Sequence, residues 1–295
     1  MAEDRTSQIK KMGIAFKTLR KDRGYAIRDV GDKIVSASNL RKFEEGLIDI
    51  SATRLIYLLG RMHVSFAEFV NFVDPNLDTE YSVFLTKVSS LYYKNDQKTL
   101  ESVIENEAKK YFNSQDEFYL ITEATAAALR KNIDHSYVVE TSLARQVSDY
   151  LMRVEIWGGF QISVFGNCLA IINSETIKTI TREFTKRISR LKSSSNNYTE
   201  FLLSLVNAVG TMTDRGHFDY ARELINFISS LDIPQIDLIF NFKLSFFKNL
   251  LFLEKKQALL QNDKLIESLI LMNLDQTAAA YREYLNNFYK PNQHA

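Results

Sequence analysis

Two adjacent cations in the stretch Ser36-Ala37-Ser38-Asn39-Leu40-Arg41-Lys42-Phe43-Glu44-Glu45-Gly46 are the residues best placed to do chemistry. Leu40 and Phe43 stand three apart and can anchor one face of a short helix. That leaves Ala37, Ser38, Asn39, Arg41 and Lys42 to be presented outward. Small residues at a helix start allow close approach to a DNA major groove, and long cations behind them reach base edges or phosphates. The same pattern suits the solvated face of an ordinary helix, so its surroundings decide between the two.

No grouping elsewhere offers catalytic equipment. The histidines His63, His135, His217 and His294 lie far apart, without an i,i+4 partner or a cysteine pair, which argues against zinc. The single cysteine, Cys168, sits in an apolar stretch and reads as a core thiol more readily than as a nucleophile. There is no phosphate-cradling glycine loop, and carboxylates such as Glu254 and Asp263 are scattered over helix faces. Neither an enzyme nor a cofactor is expected.

The elements that must position these residues follow from composition and periodicity. A chain of 295 residues with 45% hydrophobic and 25% charged residues has ample core and suits two domains. Ten glycines and three prolines are few, which favours long helices joined by short turns. One cysteine excludes an intrachain disulfide and suits a reducing interior. The start MAEDRTSQIKKMG has no apolar signal region, and no run of about 18 uncharged apolar residues occurs, so a cytoplasmic protein without membrane spans is expected. The sequon Asn197-Tyr198-Thr199 then reads as coincidence. Residues 1–73 hold 13 Lys/Arg against 9 Asp/Glu, and the rest hold 24 against 27, so the basic portion is the one carrying the quoted stretch.

Within residues 1–73 the spacing predicts five short helices. The first runs from Gln8 to Arg23 with Ile9, Met12, Phe16 and Leu19 on one side, and Gly24 ends it. The second covers about Ile27 to Lys33. Ser36 caps the third and Gly46 ends it. Ser51 caps the fourth, which carries Leu55, Ile56, Leu58 and Leu59. Ser65 caps the fifth, with Phe66, Phe69, Val70 and Phe72 facing inward.

Asp74-Pro75-Asn76 is a natural boundary. Beyond it, a helical period recurs from Thr79 to Tyr92 and through 100–112, 118–129, 143–154, 160–172 and 177–191. Ser193 to Asn197 reads as an exposed loop. Tyr198 to Leu231 is the clearest unit: two apolar helices around the turn Asp214-Arg215-Gly216-His217, with small Ala221 at the crossing. That is the appearance of a tetratricopeptide-type pair, and about five to six such pairs fit the remaining length. Asparagines interleave with phenylalanines in the latter half. Asn167 and Asn207 can bond a peptide backbone, while Phe165, Phe242 and Phe246 can form apolar pockets or simply pack between helices.

Residues 13–69 resemble the phage-repressor and xenobiotic-response type of helix-turn-helix domain, through Leu19-Arg20, Gly24, the Ser36-to-Gly46 block, and Leu55, Leu58 and Leu59. The resemblance implies a structural ion pair between Arg20 and Glu44. Ala26 and Ile27 depart from the family's polar second helix, leaving Arg28 as its phosphate contact, and Gly31 replaces the usual alanine. The run from Asp149 to Asn167, the Phe43-Glu44-x-Gly46 element, Ile50-Ser51 and Trp157-Gly158 resemble the Rgg/MutR family of Gram-positive regulators. That resemblance implies a homodimer responding to a short, imported hydrophobic peptide. By position it makes Arg153 the partner of a peptide carboxylate and Asn167 of its backbone, with an Arg153–Asp149 bridge as the alternative. Some relatives carry a bridging cysteine where this chain has Ala52.

The expected fold class is therefore all-α: a five-helix lambda-repressor-like domain over 1–73, then a superhelical array of degenerate tetratricopeptide-like pairs over 74–295. The expected function is a transcriptional regulator that binds double-stranded DNA at an inverted repeat and is controlled by the peptide. Its dimer would form through Leu269, Ile270, Leu271, Met272 and Leu274. The alternatives are a helical-repeat adaptor and a regulator sensing a small metabolite.

Overall fold

The computed structural model describes residues 2–31, 34–74, 79–191, 195–231 and 238–290, and side chains other than those of 2–5 and 184–196. Among these residues it is all helix, with sixteen helices and no strand. They fall into two compact units, Met1–Glu80 and Tyr81–Ala295.

The first unit holds α1 (Ala2–Asp22), α2 (Ile27–Gly31), α3 (Ala37–Glu44), α4 (Ala52–Arg61) and α5 (Phe66–Val73). α1 begins earlier than its apolar period, because residues 3–7 are polar and leave no stripe to read. Of the second predicted helix, Asp32 and Lys33 lie outside the described residues, as do Pro75 and Asn76 at the boundary. Three serines start helices as expected. Ser36, Ser51 and Ser65 accept the N–H of Asn39, Arg54 and Glu68 at 3.2, 3.4 and 3.0 Å. Each such cap is worth about 1 kcal/mol. Gly24 and Gly46 take the left-handed φ values of 74° and 73° that end α1 and α3.

Phe16, Leu19, Leu40, Phe43, Leu58 and Phe69 form the centre of this unit's core, with Phe16 edge-on to Phe43 at 5.6 Å. The approach of α1 to α3 depends on Gly13, where an added Cβ would fall 2.1 Å from the Phe43 carbonyl oxygen. Three expected core residues are on the surface instead: Ile56, Phe66 and Phe72 are 58%, 54% and 48% exposed. α5 is apolar nearly all round, and only the side carrying Phe69 meets its neighbours α1 and α4.

The second unit contains α6 (Glu80–Tyr93), α7 (Gln97–Ser114), α8 (Glu117–Ile133), α9 (Thr141–Arg153), α10 (Gly159–Cys168) and α11 (Ser174–Leu191). It continues with α12 (Ser195–Asp214), α13 (Phe218–Ser229), α14 (Leu238–Phe252), α15 (Lys255–Leu271) and α16 (Asp275–Phe288). α8, α10, α12 and α14 pack side by side in a row, and α7, α9, α11, α13 and α15 each pack against a member of it. This alternation is the two-layer plan of a tetratricopeptide-like array. Glycines permit the closest contacts along the row. A Cβ on Gly166 would sit 3.3 Å from Ser204 Cβ, and one on Gly210 would press to 2.9 Å from the Phe247 ring. The stretch read as a loop from Ser193 is helical from Ser195 onward, while Ser193 and Ser194 are outside the described residues.

Arg215 ties the row together at the α12–α13 turn, where Gly216 has φ 75°. Its guanidinium donates to the carbonyls of Leu169, Ala170 and Ile172 at 3.0, 3.1 and 2.7 Å. These carbonyls follow the end of α10, where a cation also complements the helix dipole.

Candidate functional site

In the first unit, burial splits α3 cleanly in two. Leu40, Phe43 and Glu44 are buried, whereas Ala37, Ser38, Asn39, Arg41 and Lys42 are all exposed. Among the described residues neither Arg41 nor Lys42 forms an ion pair, so both ammonium and guanidinium charges face solvent uncompensated. Arg28 on α2 is also exposed, with only a loose 3.8 Å approach to Asp29. A capped helix whose outer face is small at its start and cationic in its last turn suits insertion into a major groove.

The pair that holds α3 in place is buried. Arg20 Nε and Nη2 donate to Glu44 Oε1 and Oε2 at 2.6 and 2.8 Å, and Nη1 donates to the Tyr25 carbonyl at 2.7 Å. The hydrogen bonds to Glu44 outweigh burial and hold the Arg20 pKa above its ordinary value. The bidentate geometry fixes both the distance and the rotation of α3 relative to α1.

In the second unit a cavity of about 600 Å³ opens between the C-terminal ends of α8, α12 and α16. Its walls include Lys131 and Asn132, Thr211, Arg215, Tyr284 and Asn287. A second cavity of about 490 Å³ shares Lys131, His135 and Ala170 with the first and extends along Val138, Val139 and Arg145. These volumes match those of ligand pockets. Neither Asn167 nor Asn207 lines either cavity: Asn207 stands one turn of α12 before the lining residue Thr211, and Asn167 lies near the end of α10, after which Ala170 lines both.

Asn167 and Asn207 are half-buried. The Asn167 amide donates to Ser163 O at 2.8 Å, and the Tyr81 hydroxyl is close to both residues. Asn207 Oδ1 accepts from Lys243 Nζ at 2.9 Å, while its own amide N–H makes no bond among the described residues. The phenylalanines require correction. Phe165 and Phe246 are fully buried and Phe242 is 8% exposed. Phe165 packs edge-on to Trp157, and Phe242 and Phe246 pack on Tyr281, so they supply core and no open pocket.

Arg153 is exposed and lines neither cavity. Its Nη2 donates to both Glu117 oxygens at 2.6 and 2.7 Å, so the bridge runs to α8 and not to Asp149 one turn away. Glu117 keeps the Arg153 pKa raised. Cys168 is fully buried, 3.7 Å from Thr125 Oγ1, and burial pushes its pKa up to about 12. Among the described residues no three His, Cys, Asp or Glu side chains gather as a metal site. No described helix is long and apolar enough to cross a membrane. Gly13, Lys131, Lys243 and Tyr284 have no part in the sequence analysis, where Arg215 figures only as a turn residue. Gly13 alone left a signal there, as a glycine inside a predicted helix.

A helix-turn-helix unit whose third helix exposes a basic face, joined to a tetratricopeptide-like array, defines a class of bacterial transcriptional regulators. The model of the family "HTH-type transcriptional regulator Rgg, C-terminal domain" matches residues 101–283, well over half of the chain. The protein belongs to the Rgg family of transcriptional regulators, which are not enzymes. Solved structures share its fold. The Streptococcus dysgalactiae SHP pheromone receptor Rgg2 is 20% identical, with a TM-score of 0.76 over 94% of this chain and 99% of that one. The PrgX/cCF10 complex is 16% identical, with a TM-score of 0.71 over 95% and 100%. A bacterial peptide pheromone/receptor complex is 17% identical, with a TM-score of 0.71 over 94% and 98%.

Proposed function

We propose that this regulator is a cytoplasmic homodimer that binds an inverted-repeat operator through α3 and is controlled by a short hydrophobic peptide held in the second unit. The observation that carries the DNA reading is the outward face of α3, where Arg41 and Lys42 lack any protein counter-ion among the described residues. Lys or Arg to a guanine edge discriminates by about 1–3 kcal/mol, and two domains call for half-sites about 34 Å apart or a multiple of it. The peptide reading is supported by the cavity at the ends of α8, α12 and α16, and by the pheromone receptors and pheromone complexes that share the fold.

Dimerisation is assigned to the α15–α16 corner. Leu271 is 85% exposed there and adjoins partly exposed Ile270, Met272 and Leu274, whereas Leu269 is buried and belongs to the core. The deciding experiment is a genomic-fragment pull-down with sequencing, using the intact chain and an Arg41→Ala/Lys42→Ala variant. Enrichment of a few inverted-repeat fragments by the intact chain alone is expected. Equal enrichment by both, or none by either with and without peptide pools, would sink the assignment of α3 to DNA.

A further inference from the structure

The cavity wall has an electrostatic asymmetry that the overall charge of +1 conceals. Lys131 and Arg215 both line it, and among the described residues neither forms an ion pair. Lys131 Nζ donates to the Tyr137 carbonyl at 2.9 Å, and Arg215 donates to carbonyls and, at 3.4 Å, to the Ser174 hydroxyl. Such acceptors satisfy hydrogen bonds but carry no net charge, so Lys131 keeps its charge without a counter-ion among the described residues, while the Arg215 charge is met only in part, by the α10 terminus and by Asp214. Burial depresses the Arg215 pKa, with Asp214 only partly offsetting it. Asp214, the acid in this wall, accepts the Tyr284 hydroxyl at 2.5 Å. The adjoining cavity adds Arg145 and no acid.

We infer that this end of the cavity is the receptor for the peptide's C-terminal carboxylate, with Lys131 and Arg215 as its counter-ions. The inference rests on the peptide reading above and adds a direction to it. The ligand's C-terminus lies at the C-terminal ends of α8 and α12. Its chain then runs back along α12 toward Asn207, one turn before Thr211, whose amide N–H makes no bond among the described residues. Asn132 and Asn287 flank the carboxylate as neutral donors. Arg153, which shares its guanidinium with both oxygens of Glu117, is outside this subsite. A charge-assisted bond at a half-enclosed site is worth far more than an exposed pair, so removing either partner is readable as affinity.

The test uses the full chain and pooled short hydrophobic peptides, each made as free acid and as C-terminal amide, with binding ranked by affinity-selection mass spectrometry. Retained peptides are then titrated individually. The expected result is that free acids bind about tenfold or more tighter than their amides. Lys131→Met should abolish that preference, Lys131→Arg should restore it, and Arg153→Ala should leave it intact. Lys131 is partly exposed and caps no helix, so its variants are checked for unchanged thermal unfolding before use. Equal binding of acids and amides would overturn the subsite while sparing the peptide reading. Loss of the preference in Arg153→Ala, and not in Lys131→Met, would move the carboxylate to α9. Failure of every peptide in both forms would overturn both readings. Acetate or citrate binding that depends on Lys131, without any peptide binding, would reassign the cavity to free carboxylates.

Discussion

Breaking the Arg20–Glu44 pair in either of two ways should separate its structural role from that of an ordinary surface bridge. Side-chain exposures of 7% and 2% put both charges inside the first unit. Glu44→Ala leaves a buried guanidinium with one acceptor, the Tyr25 carbonyl. Arg20→Met leaves a buried carboxylate stripped of both bonds from the guanidinium. Each single change is expected to destabilise the unit by about 3–5 kcal/mol, the range for an orphaned buried charge. The double change Arg20→Met/Glu44→Leu removes both desolvation penalties and should lie within about 1 kcal/mol of the parent. The coupling in the cycle is then several kcal/mol, far above what independent sites show.

The only tryptophan, Trp157, lies in the second unit, so its fluorescence does not follow this event. Amide exchange of residues 37–46, measured by mass spectrometry alongside scanning calorimetry of the full chain, reads α3 directly. The singles should show fast exchange there, the double near-parental protection, and DNA binding should follow the same order. Singles within about 1 kcal/mol of the parent would place the pair in solvent and refute the reasoning. A double variant as unstable as the sum of the singles would equally refute it.

Other substitutions probe the remaining contacts. Gly13→Ala should unfold the first unit or cost well over about 3 kcal/mol, because the new Cβ meets backbone at Phe43. Gly31→Ala meets only Leu40 Cδ2 at 3.4 Å and should be neutral or stabilising by up to about 1 kcal/mol; calorimetry compares the two. Arg215→Met strips the donor from three carbonyls beyond α10 and should cost about 2–3 kcal/mol, read as faster amide exchange of residues 168–174. Glu123 is raised from 4.5 to about 7 by burial and by the nearby charges of Glu140 and Glu107. The folded chain therefore binds this proton more tightly than the unfolded one, so its contribution is intact below about pH 4.5 and is lost as pH rises through about 7. Discounted for its partial solvent access, the loss is about 1–2 kcal/mol, and Glu123→Gln should flatten stability across that window in denaturant titrations.

Which of these features could be read from the chain depends on how local their physics is. Ser36, Ser51 and Ser65 announce helix starts because the bond each makes closes within three residues. Gly46 announces an end because only a left-handed residue fits there. The face of α3 was legible because Leu40 and Phe43 leave a single orientation for Arg41 and Lys42. Arg20 and Glu44 are 24 residues apart, and only the likeness to a helix-turn-helix family joined them. In the second unit the local signals thin out. α14 buries Phe240, Phe242, Leu244, Phe246, Phe247, Leu250 and Leu251, so apolar residues surround it and periodicity cannot tell a lining face from a packing face. Interleaved asparagines and phenylalanines looked like a groove for that reason. The phenylalanines proved to be the adhesive between helices, and the asparagines alone remained half open.

The cavity itself has no local signature. Lys131, Arg215 and Tyr284 stand on α8, after α12 and on α16, and each reads in sequence as an ordinary polar residue near a helix end. They converge because α8, α10 and α12 pack side by side while α16 returns to the end of α12, where Tyr284 reaches Asp214 and Phe288 meets Phe218. An arginine in a turn normally caps its own helix, but Arg215 caps the end of α10, an arrangement that exists only once the array is closed. The same closure brings two cations, Lys131 and Arg215, to one wall in which Asp214 is the acid. In a repeat array whose faces are otherwise spent on packing, half-buried cations in excess of acids where the row closes are where a ligand can change the energy of the fold. A ligand that supplies the missing negative charge would bridge α8 to the α12–α13 turn and act on the junction Arg215 already holds.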